Sequence, residues 1–394
     1  MKGDGMRFAD FTLSGGPVEV EAGTLAAMGS PMCYHYDPAF LEQYRRTEAK
    51  AAKVMCAEKA DMLLMHGEAI LGLEAAWRAV VRPGMHCLNL VSGVFGKGMG
   101  DWLRMSEGVV HELVIDYNDA FDPADVEKAL KEHPEVELVC VTYSETPSGT
   151  LNPVDRIGPI AKAHGAITIV DCVSAVGGMP FEADEWQLDI CVAGAQKCLS
   201  GPPGITLMSV SQDAWDVIAK NPGAPRWSFM SMLDWKEQWL EGDHFPFTPS
   251  ISEVRGLEAV CDDLLEEGHE AAFRRHTVAA EAARAGARAM GLELWPKRDE
   301  IMSTCVTAVK LPDHLTDAQV RAHAIERYGV MLSGAHGAGN LIRLGHMGRI
   351  TRSMYPVAGL AAMGKSLSDL GMKLDIGEGI EAALDVIASA AVGG

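Results

Sequence analysis

One lysine of this chain stands where an amine could act as a nucleophile. Lys197 follows the apolar run 190–193 and precedes the Gly-Pro-rich run 201–204. Glycine and proline let the backbone approach a ligand closely and hold a loop stiff. A lysine amine whose pKa is lowered by partial burial forms Schiff bases with carbonyl compounds. The setting therefore predicts a Schiff-base lysine, with an ordinary lysine at a strand end as the alternative.

An aspartate stands in a similar setting one predicted strand earlier. Asp171 ends the apolar run 166–170. A carboxylate there can pair with a protonated pyridine nitrogen and keep a pyridine ring cationic, so that the ring accepts electrons. Taken alone, Asp171 is better explained as the N-cap of a following helix. Asp171 and Lys197 at the ends of neighbouring strands favour the ring-binding interpretation.

The order of apolar and amphipathic segments predicts the elements that hold these two residues. Between residues 60 and 210, short apolar runs alternate with helical periodicity, which is typical of a mostly parallel α/β sheet with its sites at the carboxyl ends of the strands. The segment 222–256 is rich in proline and tryptophan and predicts an irregular bridge. A long helix is predicted over 257–289, broken near Gly268, followed by further alternation of strands and helices.

This division predicts two domains, as the length of 394 residues also favours. We expect an N-terminal arm over 1–16, a large ligand-binding domain over 17–256 that contains Asp171 and Lys197, and a smaller C-terminal α/β domain over 257–394.

Composition limits the partners and the compartment. Lysine and arginine total 34 and aspartate and glutamate total 54, a net charge of −20, which disfavours nucleic acid and anionic membranes as partners. No apolar run approaches the roughly 20 residues of a membrane helix. We find no apolar leader after the first residues, and we interpret the nine cysteines as reduced, buried thiols, so we expect a cytoplasmic protein.

Two further residues invite a chemical role that we do not assign. Cys198 adjoins Lys197, but a buried thiol is the simpler interpretation. His66 lies close to Glu68, yet no third ligand stands at a metal-binding spacing, so no metal site is predicted.

Several loose motifs in a fixed order resemble the class V aminotransferases, which are pyridoxal phosphate enzymes of fold type I and include the alanine–glyoxylate and serine–glyoxylate enzymes. The resemblance extends over nearly the whole chain. Its motifs lie at 14–17, 144–149, 171–174, 196–197, 245–249 and 343–348.

The resemblance implies a role for each matching residue. Lys197 would carry the Schiff base and move a proton between the two reacting carbons. Arg343 would bind the substrate carboxylate through its planar guanidinium, and Tyr36 would also contact substrate. The residues implied to contact the ring are Phe95, Thr146, Asp171, Val173 and Gln196. Phe245 and Thr248 would reach the site of a partner subunit, which implies a dimer or tetramer.

The turn that binds the cofactor phosphate in this family departs from the family pattern. Glu68 stands where the family has a serine, followed by Ala69 and Ile70 at the start of a helix. A carboxylate and a phosphate about 4 Å apart repel by on the order of 1 kcal/mol even in water, and by more when partly buried. The sequence thus predicts a pocket for an unphosphorylated 5′-hydroxymethyl group. In the alternative, Glu68 only caps the helix, and Thr248 with backbone amides still binds phosphate.

The same departure resembles one subgroup of the family, the pyridoxamine–pyruvate aminotransferases, in which the vitamer is a substrate. Further matches lie at 37–40, 92–98, 146–153 and 376–384. Phe95 replaces an expected tyrosine, and the stretch 332–339 lacks an expected second arginine. His336 is the nearest cationic candidate there, so the identity of the 2-oxo acid stays open.

Three functions follow from these observations. The first is a transaminase that moves the amino group of pyridoxamine to pyruvate or a similar 2-oxo acid, in vitamin B6 degradation, with the pyridoxal group on Lys197. The second is a pyridoxal-phosphate-dependent aminotransferase of the alanine/serine–glyoxylate type. The third is a doubly wound nucleotide-binding protein, which the absence of a Gly-x-Gly-x-x-Gly loop disfavours.

Overall fold

The computed structural model describes residues 9–352 and 354–392, so residues 1–8 of the predicted arm and 393–394 of the predicted C-terminal domain lie outside the described part. The strands are β1 (Phe11–Thr12), β2 (Asp61–His66), β3 (His86–Val91), β4 (Val109–Val114), β5 (Leu138–Thr142), β6 (Ser144–Glu145), β7 (Thr150–Leu151), β8 (Ile167–Asp171), β9 (Ile190–Gly194), β10 (Ile205–Val210), β11 (Val306–Lys310), β12 (Val330–Met331), β13 (Ser333–Gly334) and β14 (Leu341–Gly345).

The helices alternate with these strands along most of the chain. They are α1 (Ala22–Met28), α2 (Pro38–Val54), α3 (Ala69–Val80), α4 (Val94–Met105), α5 (Pro123–Glu132), α6 (Val154–His164), α7 (Gln212–Ile218), α8 (Met232–Asp234), α9 (Ile251–Glu267), α10 (His269–Ala289), α11 (Asp317–Tyr328), α12 (Tyr355–Asp369) and α13 (Ile376–Val392). A π-helix at Trp235–Leu240 and short 3₁₀ helices at Asp299–Ile301 and Gly348–Arg352 complete the set.

A seven-stranded sheet in the order β2-β10-β9-β8-β5-β3-β4 forms the main core. Strands β3, β4, β5, β8 and β9 pair in parallel, and β10 pairs antiparallel with both of its neighbours. Every residue of β5, β8, β9 and β10 is buried, as expected for strands covered on both faces by helices. The predicted mostly parallel α/β sheet is confirmed.

Helix α3 lies directly against this sheet because its sequence provides one small-residue face. At Gly72 a Cβ atom would stand 2.4 Å from Cγ2 of Thr206 on β10, so only glycine allows this approach. Trp77 and Ala76 are buried on the same helix. The close contact fixes the N-terminal end of α3 relative to the carboxyl ends of the strands.

The prediction for the segment 222–256 is partly wrong. The segment contains α8 and the π-helix, and α9 begins at Ile251 rather than at residue 257. Pro249 ends the irregular stretch, and the Ser250 amide donates to His66 Nδ1 at 3.0 Å, which fixes the start of the helix. The expected domain boundary at 256/257 therefore falls inside α9. The predicted break at Gly268 is confirmed, with φ of +83° between α9 and α10.

A smaller unit follows, built on the antiparallel sheet β11-β14-β13 and helices α10 to α13. Strand β1 near the start of the chain pairs in parallel with β12 of this unit, at Phe11 opposite Val330. Residues expected to form an arm thus attach to the C-terminal part of the fold. In the described residues, no helix is both long and apolar enough to cross a membrane.

Candidate active site

Lys197 lies three residues beyond β9, at the carboxyl end of the parallel strands. Its Nζ donates to the carbonyl oxygen of Gly15 at 2.9 Å. The adjoining Gly16 has φ of +92°, and a Cβ there would stand 2.8 Å from Nζ. Burial lowers the pKa of Lys197, against the opposing charges of Glu68 and Asp171. The glycine loop therefore closes over a lysine that loses its proton more readily than a lysine in water.

Asp171 is the last residue of β8, which pairs with β9, so the aspartate and the lysine occupy neighbouring strand ends. The amide of Val173 donates to Asp171 Oδ1 at 3.0 Å. Burial raises the pKa of Asp171 to about 6, although the Val173 amide and Lys197 oppose the shift. Among the described residues, no cationic side chain lies within ion-pair distance of Asp171. A cation that enters the pocket could therefore pair with this buried carboxylate.

Lys197 and Asp171 line one pocket. The lining residues are Glu68, Ala69, Ile70, Leu73, Phe95, Asp171, Val173, Ser174 and Lys197. The structure thus brings together most of the residues expected to contact the ring. Ala69 and Val173 are buried, while the Ile70 side chain is 40% exposed at the edge of the pocket.

Phe95 is held by a residue that sequence reasoning did not single out. The Glu145 carboxylate accepts the amide of Phe95 at 3.2 Å and that of Gly96 at 2.7 Å, at the N-terminus of α4. Glu145 is fully buried, and burial raises its pKa to about 7. At Gly93 a Cβ would stand 2.4 Å from the Glu145 carboxyl carbon. Glu145 lies within the family motif at 144–149, but the local sequence pattern does not indicate that its side chain is buried.

Glu68 is the N-cap of α3 and takes the position of an anion at that helix end. Its Oε2 accepts the amide of Ile70 at 2.9 Å, and its Oε1 accepts Nε2 of Gln196 at 2.6 Å. Glu68 therefore caps the helix, and by doing so it uses an amide that would otherwise face a ligand anion.

These contacts set the charge at this end of the pocket. A carboxylate at the helix N-terminus repels a phosphate dianion there. The same carboxylate can accept a hydrogen bond from a neutral group such as a hydroxymethyl group. Gln196 Oε1 is buried and lacks a hydrogen-bond partner in the described part of the chain, which leaves a second acceptor unsatisfied.

Arg343 on β14 is buried, with 2% of its surface exposed. Its Nε donates to the carbonyl of Gly334 and its Nη1 to the carbonyl of Thr146, each at 2.7 Å. Among the residues described, no carboxylate lies within ion-pair distance of it, and burial lowers its pKa to about 10. A desolvated guanidinium without a counter-ion is a strong site for a carboxylate. Thr146 is itself buried and here acts through its carbonyl.

His336 was the candidate for a second positive charge near Arg343. Its side chain is solvent-accessible in a loop with φ of +49°. Desolvation, followed by the charges of Arg343 and Arg321, lowers its pKa, so the imidazole is neutral at pH 7. Asp317 and Arg321 on α11 form an ion pair at 3.1 Å, and their charges act on the pKa of Arg343 in opposite directions, with Asp317 raising it and Arg321 lowering it. Sequence reasoning missed Arg321 because it searched only the loop before Arg343.

Tyr36, Phe245 and Thr248 do not line this pocket in a single chain. Tyr36 and Phe245 belong to one aromatic cluster, with ring centroids 5.9 Å apart. Phe245 is 6% exposed and stacks on Trp239 at 4.1 Å, so its own chain encloses the side chain that was expected to reach a partner. Aromatic burial explains this difference. Thr248 is exposed three residues further on.

Comparison with known proteins gives one consistent family. The class V aminotransferase family model matches residues 21–357. A pyridoxamine–pyruvate transaminase of Mesorhizobium japonicum is 45% identical over 378 residues, covering 95% of this chain and 96% of that protein. The crystal structure of a pyridoxamine–pyruvate aminotransferase from Mesorhizobium loti has a TM-score of 0.94 at 44% identity, covering 99% of this chain and 100% of that chain. A ureidoglycine–glyoxylate aminotransferase structure from Bacillus subtilis has a TM-score of 0.92 at 28% identity, covering 97% of this chain and 99% of that chain.

Proposed function

Because the chain belongs to the class V aminotransferases, pyridoxal-phosphate-dependent enzymes of fold type I, we propose that it transfers the amino group of pyridoxamine to pyruvate or a similar small 2-oxo acid. The products are pyridoxal and, from pyruvate, L-alanine. The observation that carries this proposal is the Glu68 carboxylate at the N-terminus of α3, hydrogen-bonded to the Ile70 amide and the Gln196 side chain. Similarity to two pyridoxamine–pyruvate enzymes along nearly the whole chain supports it.

The reaction exchanges one amino group for one carbonyl oxygen. Pyridoxamine loses its amino group and one hydrogen from C4′, and the oxo acid gains an amino group and one hydrogen at Cα. The bound pyridinium ring supplies an electron sink. Lys197 moves the proton from C4′ to Cα, for which its lowered pKa suits the neutral amine.

The remaining pocket residues orient the two substrates. Asp171 would pair with the protonated ring nitrogen, and Phe95 and Val173, which line the pocket, would lie against the two faces of the ring. Glu68 accepts the 5′-hydroxyl hydrogen. Arg343 binds the oxo-acid carboxylate next to Lys197, since the loop at Gly15 and Gly16 touches both side chains. Substrates bound in this way stand beside the amine that transfers the proton.

A second subunit completes the site in this proposal. Thr248 and Tyr36 lie outside the pocket of their own chain, and large apolar side chains are exposed at Met32, Tyr34 and Trp227. Exposed apolar surface of this kind favours self-association. We expect a dimer or a larger assembly by light scattering. A fully active monomer would contradict the proposed role of Thr248. The nine free thiols favour a reducing compartment such as the cytoplasm.

An absorbance spectrum of the purified protein tests the proposal against a phosphate-dependent alanine/serine–glyoxylate activity. We expect a colourless protein that gains an imine band with pyridoxal at lower concentration than with pyridoxal phosphate. Turnover of pyridoxamine with a panel of 2-oxo acids then identifies the acceptor. A yellow protein purified with bound phosphate cofactor would favour the alternative activity.

Lys197→Ala should abolish the imine band and the transamination together, since both need the same amine. The matched control is Lys128→Ala, which removes an exposed lysine on α5 and should leave both unchanged. Turnover retained by Lys197→Ala would remove Lys197 from the mechanism.

A further inference from the structure

Three side chains converge at the edge of the main sheet, away from the pocket. His86 Nδ1 lies 3.1 Å from His111 Nε2. Glu135 Oε1 lies 3.4 Å from His86 Nδ1 and 3.6 Å from His111 Nε2. In residues 9–352 and 354–392, no other group of three or more His, Cys, Asp or Glu side chains converges in this way. We call His86, His111 and Glu135 the edge cluster.

The spacing of these atoms matches the ligand shell of a small metal ion. Zinc binds histidine nitrogens and carboxylate oxygens at about 2.0–2.1 Å in a tetrahedral shell, so its ligand atoms lie about 3.3 Å apart. The three separations within the edge cluster, 3.1, 3.4 and 3.6 Å, bracket that value. A hydrogen bond between the two imidazoles would explain only the shortest of these three separations.

His133 provides a candidate for the fourth ligand. Its Nδ1 lies 3.5 Å from Glu135 Oε1, and its ring stacks on His111 with centroids 3.8 Å apart. The side chains of His111 and Glu135 are 21% and 41% exposed, so an ion can enter from solvent. Burial and the neighbouring imidazoles lower the pKa of His111, which favours the neutral, ligating form.

We propose that His86, His111 and Glu135 form a binding site for a late first-row divalent metal ion such as Zn²⁺, with His133 or water as the fourth ligand. Nitrogen-rich donor sets favour such ions over Mg²⁺ and Ca²⁺, which prefer oxygen ligands.

The position of the edge cluster indicates a structural role for the ion. His86 begins β3, His111 lies on the edge strand β4, and Glu135 lies in the loop between α5 and β5. An ion there would join the edge strand to two neighbouring segments. Lys197 and Asp171 follow the carboxyl ends of β9 and β8, whereas His86 opens the amino end of β3, so the ion would not take part in transamination.

Zinc titration of the chelator-treated, vitamer-free protein by calorimetry tests the site. We expect about one Zn²⁺ per chain and at least a tenfold loss of affinity in His111→Ala. The matched control is His314→Ala, which removes an exposed histidine outside the edge cluster and should bind zinc as the unmodified protein does. Absence of binding, or equal affinity in His111→Ala and the unmodified protein, would overturn the proposal.

Two further measurements separate loss of ligation from loss of fold. Zinc should raise the thermal midpoint of the unmodified protein and of His314→Ala, but not that of His111→Ala, because an ion that binds only the native state stabilises it. Co²⁺ should give the visible absorption of a tetrahedral site, which Glu135→Gln weakens while the circular dichroism stays unchanged. Zinc that raises all three midpoints equally would overturn the assignment to these residues.

Discussion

The side-chain amide of Gln196 donates to Oε1 of Glu68 at 2.6 Å. The hydrogen bond joins the N-cap of α3 to the residue that immediately precedes Lys197. Glu68 cannot leave the helix end without giving up this bond and the bond from the Ile70 amide at 2.9 Å. The carboxylate at the helix N-terminus and the position of Lys197 are thereby linked through one pair of residues.

Glu68→Ser should improve binding of pyridoxal phosphate relative to pyridoxal by about tenfold or more. The change removes a negative charge whose repulsion of a phosphate about 4 Å away is on the order of 1 kcal/mol in water and larger in a partly buried site. The ratio of the two dissociation constants, from imine absorbance, measures the effect. Glu74→Ser on the same helix removes a partly exposed glutamate paired with Arg78 and is the control. An unchanged ratio in Glu68→Ser would contradict the proposed role of Glu68.

Pyridoxal binding should strengthen as the pH rises to about 6 and then depend less on pH. The pKa of Asp171 in the empty pocket is raised to about 6 by burial. Below that pH the free protein holds a proton on Asp171 that must leave before the carboxylate can pair with a cationic ring. Affinity therefore rises with pH, by up to about tenfold per unit for this proton. In Asp171→Asn the slope of the logarithm of pyridoxal affinity against pH should be lower by about one proton. An identical slope in the variant and the unmodified protein would exclude Asp171 as the paired group.

Arg321→Ala should raise the KM for the 2-oxo acid by about threefold to tenfold and leave the affinity for pyridoxamine unchanged. Arg321 forms an ion pair with Asp317 at 3.1 Å, so its removal leaves the Asp317 carboxylate uncompensated near Arg343 and weakens the attraction of the substrate carboxylate. His336→Ala is the matched comparison and should change the KM less, because that imidazole is neutral at pH 7. A larger effect of His336→Ala would assign the second contact to the histidine.

Glu145→Gln should weaken the contact between α4 and the ring and shift the imine band. The amide keeps one acceptor for the two backbone donors of Phe95 and Gly96. The raised folded pKa of about 7 means that burial disfavours the charged form. The native protein should therefore lose stability relative to the variant as the pH rises from about 4.5 to 7, by up to about 3 kcal/mol. Denaturant unfolding at several pH values measures the difference in the free energy of unfolding between the two proteins. A difference that stays constant with pH would refute the prediction.

The sequence predicts the fold well wherever hydrophobic periodicity decides it. Strands β5, β8, β9 and β10 are short apolar runs, and all are buried on both faces. The start of α9 at Ile251 was less predictable, because a tertiary hydrogen bond from Ser250 to His66 sets it. Long-range pairing such as that of β1 with β12 likewise has no local signal.

The candidate site was predictable where a motif marks a strand end, as for Lys197 and Asp171. Residues whose role depends on contacts between distant segments were not predictable. Arg321 lies on a helix and influences Arg343 only through its charge, and Glu145 acts through its burial. The prediction of no metal site considered the neighbourhood of His66, whereas His86, His111 and Glu135 come from three separate segments. Phe245 was expected at an interface, but aromatic packing encloses it.

The contact of Lys197 with the Gly15 carbonyl has a consequence for how the protein becomes active during synthesis. Gly15 also lies against Arg343, and β1 pairs with β12, which is made more than 300 residues later. The main sheet can form once β10 has left the ribosome, since domains begin to fold from the N-terminal side. Strand β1, which leads into the glycine loop, has no strand to pair with until residue 331 follows. A nascent chain therefore carries a nearly complete sheet, with Lys197 uncovered, well before Arg343 is made.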